Sequence, residues 1–444
     1  MVDKSSITID LERDKLFDEL GIKRLKESYM REDETSPQER FAFVSAAFAT
    51  DESHAQRLYD YSSKHWLSYS TPILSFGRSK RGLPISCFLP YLDDSAEGLV
   101  NTLSEVNWLS MLGGGVGIGL GIRSADDKSV GIMPHLRTYD ASSLAYRQGR
   151  TRRGSYAAYL DISHPDIINF LEMRKPTGDP NLRTLNLHHG INITDDFMLL
   201  IEKCMLDHDA DDTWELKDPH TQEVKDKVSA RELWQRILET RMLTGEPYIH
   251  FIDTSNRAMP EFQKKKGLSI KQSNLCSEII LPTDKQRTAV CCLSSVNLEY
   301  YDDWKSNELF LRDVAEMLDN VLQYFIANDG SVQHLDFLDE YTKDVYKTGM
   351  EIDQRWVVDH AADRQHYIDQ AQSINLFFRP DVNVKYLHAV HFQAWKQGLK
   401  TLYYCRSEKL AKADKVSKKI EREIIQEIDL KQLATEEVCL ACEG

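Results

Sequence analysis

Ser273-Asn274-Leu275-Cys276-Ser277-Glu278 places an amide, a thiol and a carboxylate at alternate positions. On an extended backbone alternate side chains share one face. The spacing therefore predicts a strand that turns Asn274, Cys276 and Glu278 into one cavity. An amide can hold a hydroxyl, a carboxylate can take its proton, and a sulfur can act on the carbon between them. The competing reading is a buried strand with an inert thiol, since free Cys is among the most buried residue types. The surrounding sequence decides between the two.

Before this stretch, Glu246 to Ile252 is a predicted strand; after it, Ala289 to Leu298 is another. Ser70 to Ser75 and Leu83 to Leu89 are short apolar runs that read as buried strands, joined by a turn at Gly77–Gly82. Ser373 to Phe378 and Leu399 to Tyr404 complete the set. Between them lie helical patterns. Residues 10–70 are helical, with Ser36, Pro37 and Glu39 forming a capping-box start. Ser95 to Leu112 is a helix, and the glycines from Gly113 to Gly119 read as its C-cap and turn, where a backbone can approach a ligand closely. These glycines do not follow a strand as a dinucleotide fingerprint requires. Residues 160–245 read as largely helical with a polar insertion near 207–226; 312–328, 344–371 and 386–396 are further helices. Strands alternating with helices predict an α/β fold with a buried sheet.

The 444 residues carry a net charge of −15, which does not favour binding to nucleic-acid backbones. No apolar run reaches the length of a membrane span, and the N-terminus has no signal-peptide core, so a cytoplasmic protein is expected. Eight cysteines are too few for a disulfide scaffold at this length. Cys439-Leu440-Ala441-Cys442 ends a Lys- and Glu-rich arm from Ser407. One such pair is half of a structural zinc site, and no metal site is expected; a dithiol on an arm suits thiol–disulfide exchange. Cys87, Cys276 and Cys291 each sit in a run with strand character, where two could cycle as a dithiol while the third does different work. Tyr403-Tyr404 would stack only if the strand is locally distorted, because successive side chains point to opposite faces. The basic stretch Gln148 to Gly154 fits a solvated loop and an anion site equally well.

Ser86-Cys87, Asn274 to Glu278, Ala289 to Ser294, Leu402 to Tyr404 and the terminal Cys439-x-x-Cys442 occur in one order. Together they resemble the large, catalytic subunit of class I ribonucleotide reductase, in a minimal form of phage or viral type. The resemblance implies a ten-stranded α/β barrel (71–406), an N-terminal helical region (1–70) and a flexible C-terminal redox tail (407–444). It implies reduction of ribonucleotides to deoxyribonucleotides, with Cys276 as the thiyl radical, Glu278 as the base on the 3′ hydroxyl and Asn274 holding the sugar. Cys87 and Cys291 would be the reducing dithiol, re-reduced by Cys439 and Cys442, while Tyr403 and Tyr404 relay the radical. Thr71, Ser86 and Gly115 match substrate-contacting positions; Asp94, Ser95, Arg123 and Arg152 match positions for a dNTP or ATP effector. The implied partners are a radical-generating, metal-containing small subunit, thioredoxin or glutaredoxin, and a second copy of the chain when effector binds. No cofactor is expected to be covalently held. The chain departs from the family pattern twice. No N-terminal ATP-cone is expected, and the stretch 325–332 joins parts normally separated by a segment with a Pro-Thr-Ala-Ser phosphate loop. A non-catalytic nucleotide-binding regulatory homologue is the alternative.

Overall fold

The computed structural model describes residues 2–78, 84–111, 113–146, 154–285, 287–327, 354–378 and 382–407. Its centre is an eight-stranded sheet: β1 (Cys87–Leu89), β2 (Tyr91–Leu92), β3 (Gly115–Leu120), β4 (Tyr156–Asp161), β5 (His188–Ile193), β6 (Tyr248–Phe251), β7 (Ala289–Cys291) and β8 (Thr401–Leu402). The order is β7-β1-β3-β4-β5-β6-β8, with β2 also paired to β3. The pairs β1–β3, β3–β4, β4–β5 and β5–β6 are parallel, whereas β7 and β8 flank them antiparallel. Thus eight strands of the expected ten-stranded barrel are present among the described residues, and they form a half-barrel.

The two faces of this sheet follow the period of two. Val116, Ile118, Ala158, Leu160, Ile191, Ile193, Ile249 and Phe251 point outward into the main core with the covering helices. The other face carries Gly115, Gly117, Ala157, Tyr159, His188, Tyr248 and His250, matched strand to strand by the register. Burying both faces explains why these strands are runs of apolar and small residues rather than clean alternations.

Several sequence expectations change here. Gly113 and Gly114 do cap helix Ala96–Met111, their N–H groups bonding Ser110 and Leu109 carbonyls, but Gly115 to Leu120 is a buried strand, not a turn. Its glycines are room for the protein's own chain: a Cβ on Gly117 would sit 2.4 Å from the Ser273 carbonyl oxygen and 2.6 Å from Asn274 Cα. Ser70 to Ser75 is a helical turn over Thr71–Leu74, with Pro72 in its first turn where a missing N–H costs nothing; the strand lies just before it, at Leu67–Tyr69. Residues 160–245 hold the end of β4, all of β5 and the hairpin Thr213–Lys217/Val224–Ser229 as well as helices. β5 reads His-His-Gly-Ile-Asn-Ile, too short and too mixed for its period to separate strand from helix.

A second core joins the N-terminal helices to a late one. Helix Pro37–Phe48 has the predicted capping box and packs with helix Glu52–Ser63. Trp304, Phe310, Val314, Met317 and Val321 complete the same cluster. Arg57 clamps Asp313 through Nε and Nη2 at 2.7 and 2.8 Å, and the Tyr61 hydroxyl donates to Asp313 at 2.9 Å.

Candidate active site

Residues 272–280 cross the concave face of the sheet, and they are not a strand. The chain turns at Leu275–Ser277, and Ser277 takes a left-handed φ of 63°. A non-glycine residue there is uncommon and needs support. Tyr159 supplies it from β4: its hydroxyl donates to the Asn274 carbonyl at 2.6 Å and lies 2.9 Å from Ser277 Oγ. Burial pushes the Tyr159 phenol well above its ordinary pKa, so it stays a donor.

The turn unites the amide and the carboxylate by hydrogen bonds rather than by strand alternation, and it sends the Cys276 thiol to a separate cluster instead of the same cavity. Asn274 Oδ1 accepts from the Glu278 and Ile279 N–H groups at 3.0 and 3.1 Å, closing the turn. Its Nδ2 donates to Glu278 Oε1 at 2.8 Å and to Cys87 Sγ at 3.1 Å. One buried amide therefore links the carboxylate to the thiol of β1. Ser373 donates to Glu278 Oε2 at 2.8 Å and also to the Cys276 carbonyl.

Cys87 lies directly opposite Cys291 in the β1–β7 ladder, and Gly115 pairs with Cys87 on its other side. Both cysteines are free and buried. The neighbouring Cys291 thiol first, and then burial, hold the Cys87 thiol well above its ordinary pKa. Ser86 is adjacent: its N–H donates to the Cys291 carbonyl at 2.8 Å, and its carbonyl accepts from Gly115 at 3.0 Å. Its hydroxyl donates to Ser70 at 3.3 Å, beside Thr71.

Cys276 faces the other way, into a cluster with Tyr159, Tyr248, Leu275, Tyr403 and Tyr404. The tyrosine pair occupies the break between β8 and the strand Cys405–Ser407. That break is the distortion that stacking required. The rings lie 4.2 Å apart, tilted by 54°, and Tyr248 touches both at 4.7 and 5.3 Å. Burial first, then the Cys276 thiol, push the Tyr403 phenol far up; burial and the Glu246 charge push Tyr404 to about 12. Arg241 fixes the break from behind, donating to the Tyr403 carbonyl at 3.1 Å and to His391 Nε2 at 3.0 Å.

Asp94 and Ser95 stand at the start of helix Ala96–Met111, with Arg123 Nε 3.5 Å and His220 Nε2 3.3 Å from Asp94 Oδ2. Arg152, Cys439 and Cys442 lie outside the described residues, as does most of 325–332. Sequence reasoning missed Tyr159, Tyr248, Ser277, Arg241 and Ser373. The one usable signal was Tyr156-Ala157-Ala158-Tyr159-Leu160, an apolar aromatic run following Gly154 and Ser155.

Residues 15–82 match the family model described as the ribonucleotide reductase all-alpha domain. Residues 85–326 and 316–405 match the ribonucleotide reductase barrel domain, in two pieces that meet where the sequence departs from the family pattern. The chain is 42% identical over 637 aligned positions to the ribonucleoside-diphosphate reductase large subunit of Invertebrate iridescent virus 3, covering 99% of this chain and 100% of that protein. The alignment exceeds the 444 residues here, so the relative has stretches without a counterpart in this chain. It is 66% identical over 285 residues to the same subunit of Invertebrate iridescent virus 6, covering 64% of this chain and 30% of that protein. The alpha subunit of the Actinobacillus ureae class Id ribonucleotide reductase shares its fold, with a TM-score of 0.69 at 24% identity over 91% of this chain and 98% of that one. With both domain models matched across most of its length, the chain belongs to the ribonucleotide reductase large-subunit family.

Proposed function

We propose that this chain reduces ribonucleoside diphosphates to their deoxy forms through a radical on Cys276. The observation that carries the reading is the Asn274 amide, bonded at once to Glu278 and to Cys87, with Cys276 on the same turn and set against Tyr403. A ribose seated there has a hydrogen-abstracting sulfur on one side and a dithiol on the other. The Cys276 thiyl takes the hydrogen atom from C3′, and Glu278 takes the 3′ hydroxyl proton. Cys87 protonates the 2′ hydroxyl, which leaves as water. Cys87 and Cys291 supply two electrons and end as a disulfide, the second thiol hydrogen going to C2′ and Glu278 returning its proton to the 3′ oxygen; the hydrogen then returns from Cys276 to C3′, which regenerates the thiyl.

Thr71, Ser86 and Gly115 border the sugar. A small subunit supplies the radical through Tyr404 and Tyr403, and the terminal Cys439 and Cys442, served by thioredoxin or glutaredoxin, re-reduce the pair. Asp94, Ser95, Arg123 and Arg152 hold a dNTP or ATP that sets substrate choice and pairs two copies of the chain. The test is the Cys276→Ser chain with a radical-supplying small subunit, a dithiol and an effector nucleotide. It is expected to form no deoxyribonucleotide while keeping the wild-type melting temperature and effector binding. Turnover by that variant rejects the thiyl assignment. A wild-type chain that binds nucleotide yet never turns over is the regulatory homologue instead.

A further inference from the structure

None of the roles above uses Glu246, although it is a fully buried carboxylate beside the tyrosine pair. Its Oε1 accepts from His188 Nδ1 at 2.6 Å. Its Oε2 accepts from the His189 N–H at 3.1 Å and His189 Nδ1 at 3.2 Å, and Arg174 Nε lies 3.3 Å away. A carboxylate only accepts, so both imidazoles carry their hydrogen on Nδ1. Burial alone would raise the pKa of Glu246; Arg174, and then His188 and His189, outweigh it and hold the carboxyl well below its ordinary range. A charge buried without such partners would be strongly destabilising.

His188 lies on the concave face, opposite Ala157 in the β4–β5 ladder. Its ring meets Tyr404 edge-on at 6.2 Å and 79°, and it stacks on Tyr248 at 6.2 Å and 17°. The Tyr404 hydroxyl is 3.5 Å from the same Nδ1 that Glu246 grips.

We propose that Glu246 and His188 are positioning residues for Tyr404 in radical transfer, the carboxylate locking the imidazole and the imidazole fixing the phenol against Tyr403. The proposal rests on the reading of Tyr404 as a relay residue. The step it serves is a hydrogen-atom exchange. A phenoxyl on Tyr404, formed by the small subunit's radical, accepts one electron and one proton from Tyr403, whose O–H bond breaks as that of Tyr404 forms. Such an exchange tolerates little misplacement, because both phenol oxygens must stay within reach. The locked imidazole does a second thing. Its Nδ1 already carries a hydrogen committed to Glu246, so it cannot act as a base and draw the Tyr404 proton away from Tyr403.

The experiment uses the full chain with its small subunit. His188→Phe keeps a flat ring and removes Nδ1; His188→Asn puts an amide N–H where Nδ1–H stood. His188→Phe is expected to lower kcat by about tenfold or more with KM for substrate unchanged, and His188→Asn to recover most of that loss. A 3-aminotyrosine at position 404 traps the radical there. Its electron paramagnetic resonance spectrum is expected to change in His188→Phe and to return in His188→Asn. Glu246→Gln, which keeps shape and removes charge, should also change it. Wild-type kcat and an unchanged spectrum in His188→Phe and Glu246→Gln overturn the proposal while leaving the reductase reading intact. A wild-type chain with no turnover overturns that reading and takes this proposal with it.

Discussion

Asn274 shows what a single side chain does at this site. Both ends of its amide are committed, the oxygen to the turn's own backbone and the nitrogen to Glu278 and Cys87. The alternate spacing of amide, thiol and carboxylate predicts a strand, but the conformation is a tight turn that bonds Asn274 to Glu278 and directs Cys276 to the tyrosines. No sequence pattern announces it, because the support for Ser277 comes from Tyr159, over a hundred residues away. The cysteine pair was more legible. Cys87 and Cys291 each sat in a recognisable strand, and only their register was hidden. Direct cross-strand neighbours have Cα atoms roughly 4.5–5.5 Å apart, inside the about 4.4–6.8 Å that a disulfide spans. Mild diamide oxidation of the reduced chain should therefore link Cys87 to Cys291, read by peptide mapping under non-reducing conditions. Cys291→Ser should remove that cross-linked peptide. Its persistence, or its absence from the wild type, would count against the pairing as the redox-active dithiol.

At the scale of elements, β3 is the decisive strand. Val116, Ile118 and Leu120 anchor its outer face in the core, while Gly115 and Gly117 leave the inner face bare for residues 272–275. The glycines looked like a turn because four of the five residues before Ile118 are Gly; alternation with branched residues was the better signal. Gly117→Ala tests the close approach. The new methyl meets backbone atoms at 2.4 to 2.9 Å, so either β3 or the site turn must move. Overpacking of this kind costs about 1–3 kcal/mol. Urea denaturation should show a loss in that range, and turnover should fall further than stability accounts for, because Asn274 is displaced. Gly117→Ala with wild-type stability and turnover would mean that the turn and β3 are not in contact in solution. The tyrosine pair belongs to the same scale. Its strand and its need for distortion were readable in advance, but the Arg241 brace was not, since Arg241 sits in what reads as an ordinary amphipathic helix.

Two large cores dominate the described residues, and buried polar groups sit at their critical points. The N-terminal helices were readable from the Ser36 capping box. Their completion by helix Phe310–Ala327 was not, because the Arg57–Asp313 contact spans 256 residues. Buried histidines set how the whole molecule responds to acid. His250 is fully buried between Asn192 and Ser255, at 2.8 and 2.9 Å. Burial pushes its pKa down to about 3. His189 and His391 are also lowered, by burial first; the Arg241 charge adds to the shift at His391. In the unfolded chain each returns to about 6.5. Between those values the unfolded state binds protons that the folded state refuses, so the stability these histidines contribute is complete above about pH 6.5 and is lost as the pH falls. At pH 5 His250 alone costs about 2 kcal/mol relative to neutral pH. Urea denaturation at pH 7 and pH 5 should show this loss. His250→Asn keeps a group that can bond Asn192 and cannot titrate, so it should narrow the difference between the two pH values by about 2 kcal/mol while being somewhat less stable at both. An unchanged pH dependence in His250→Asn would place the acid sensitivity elsewhere.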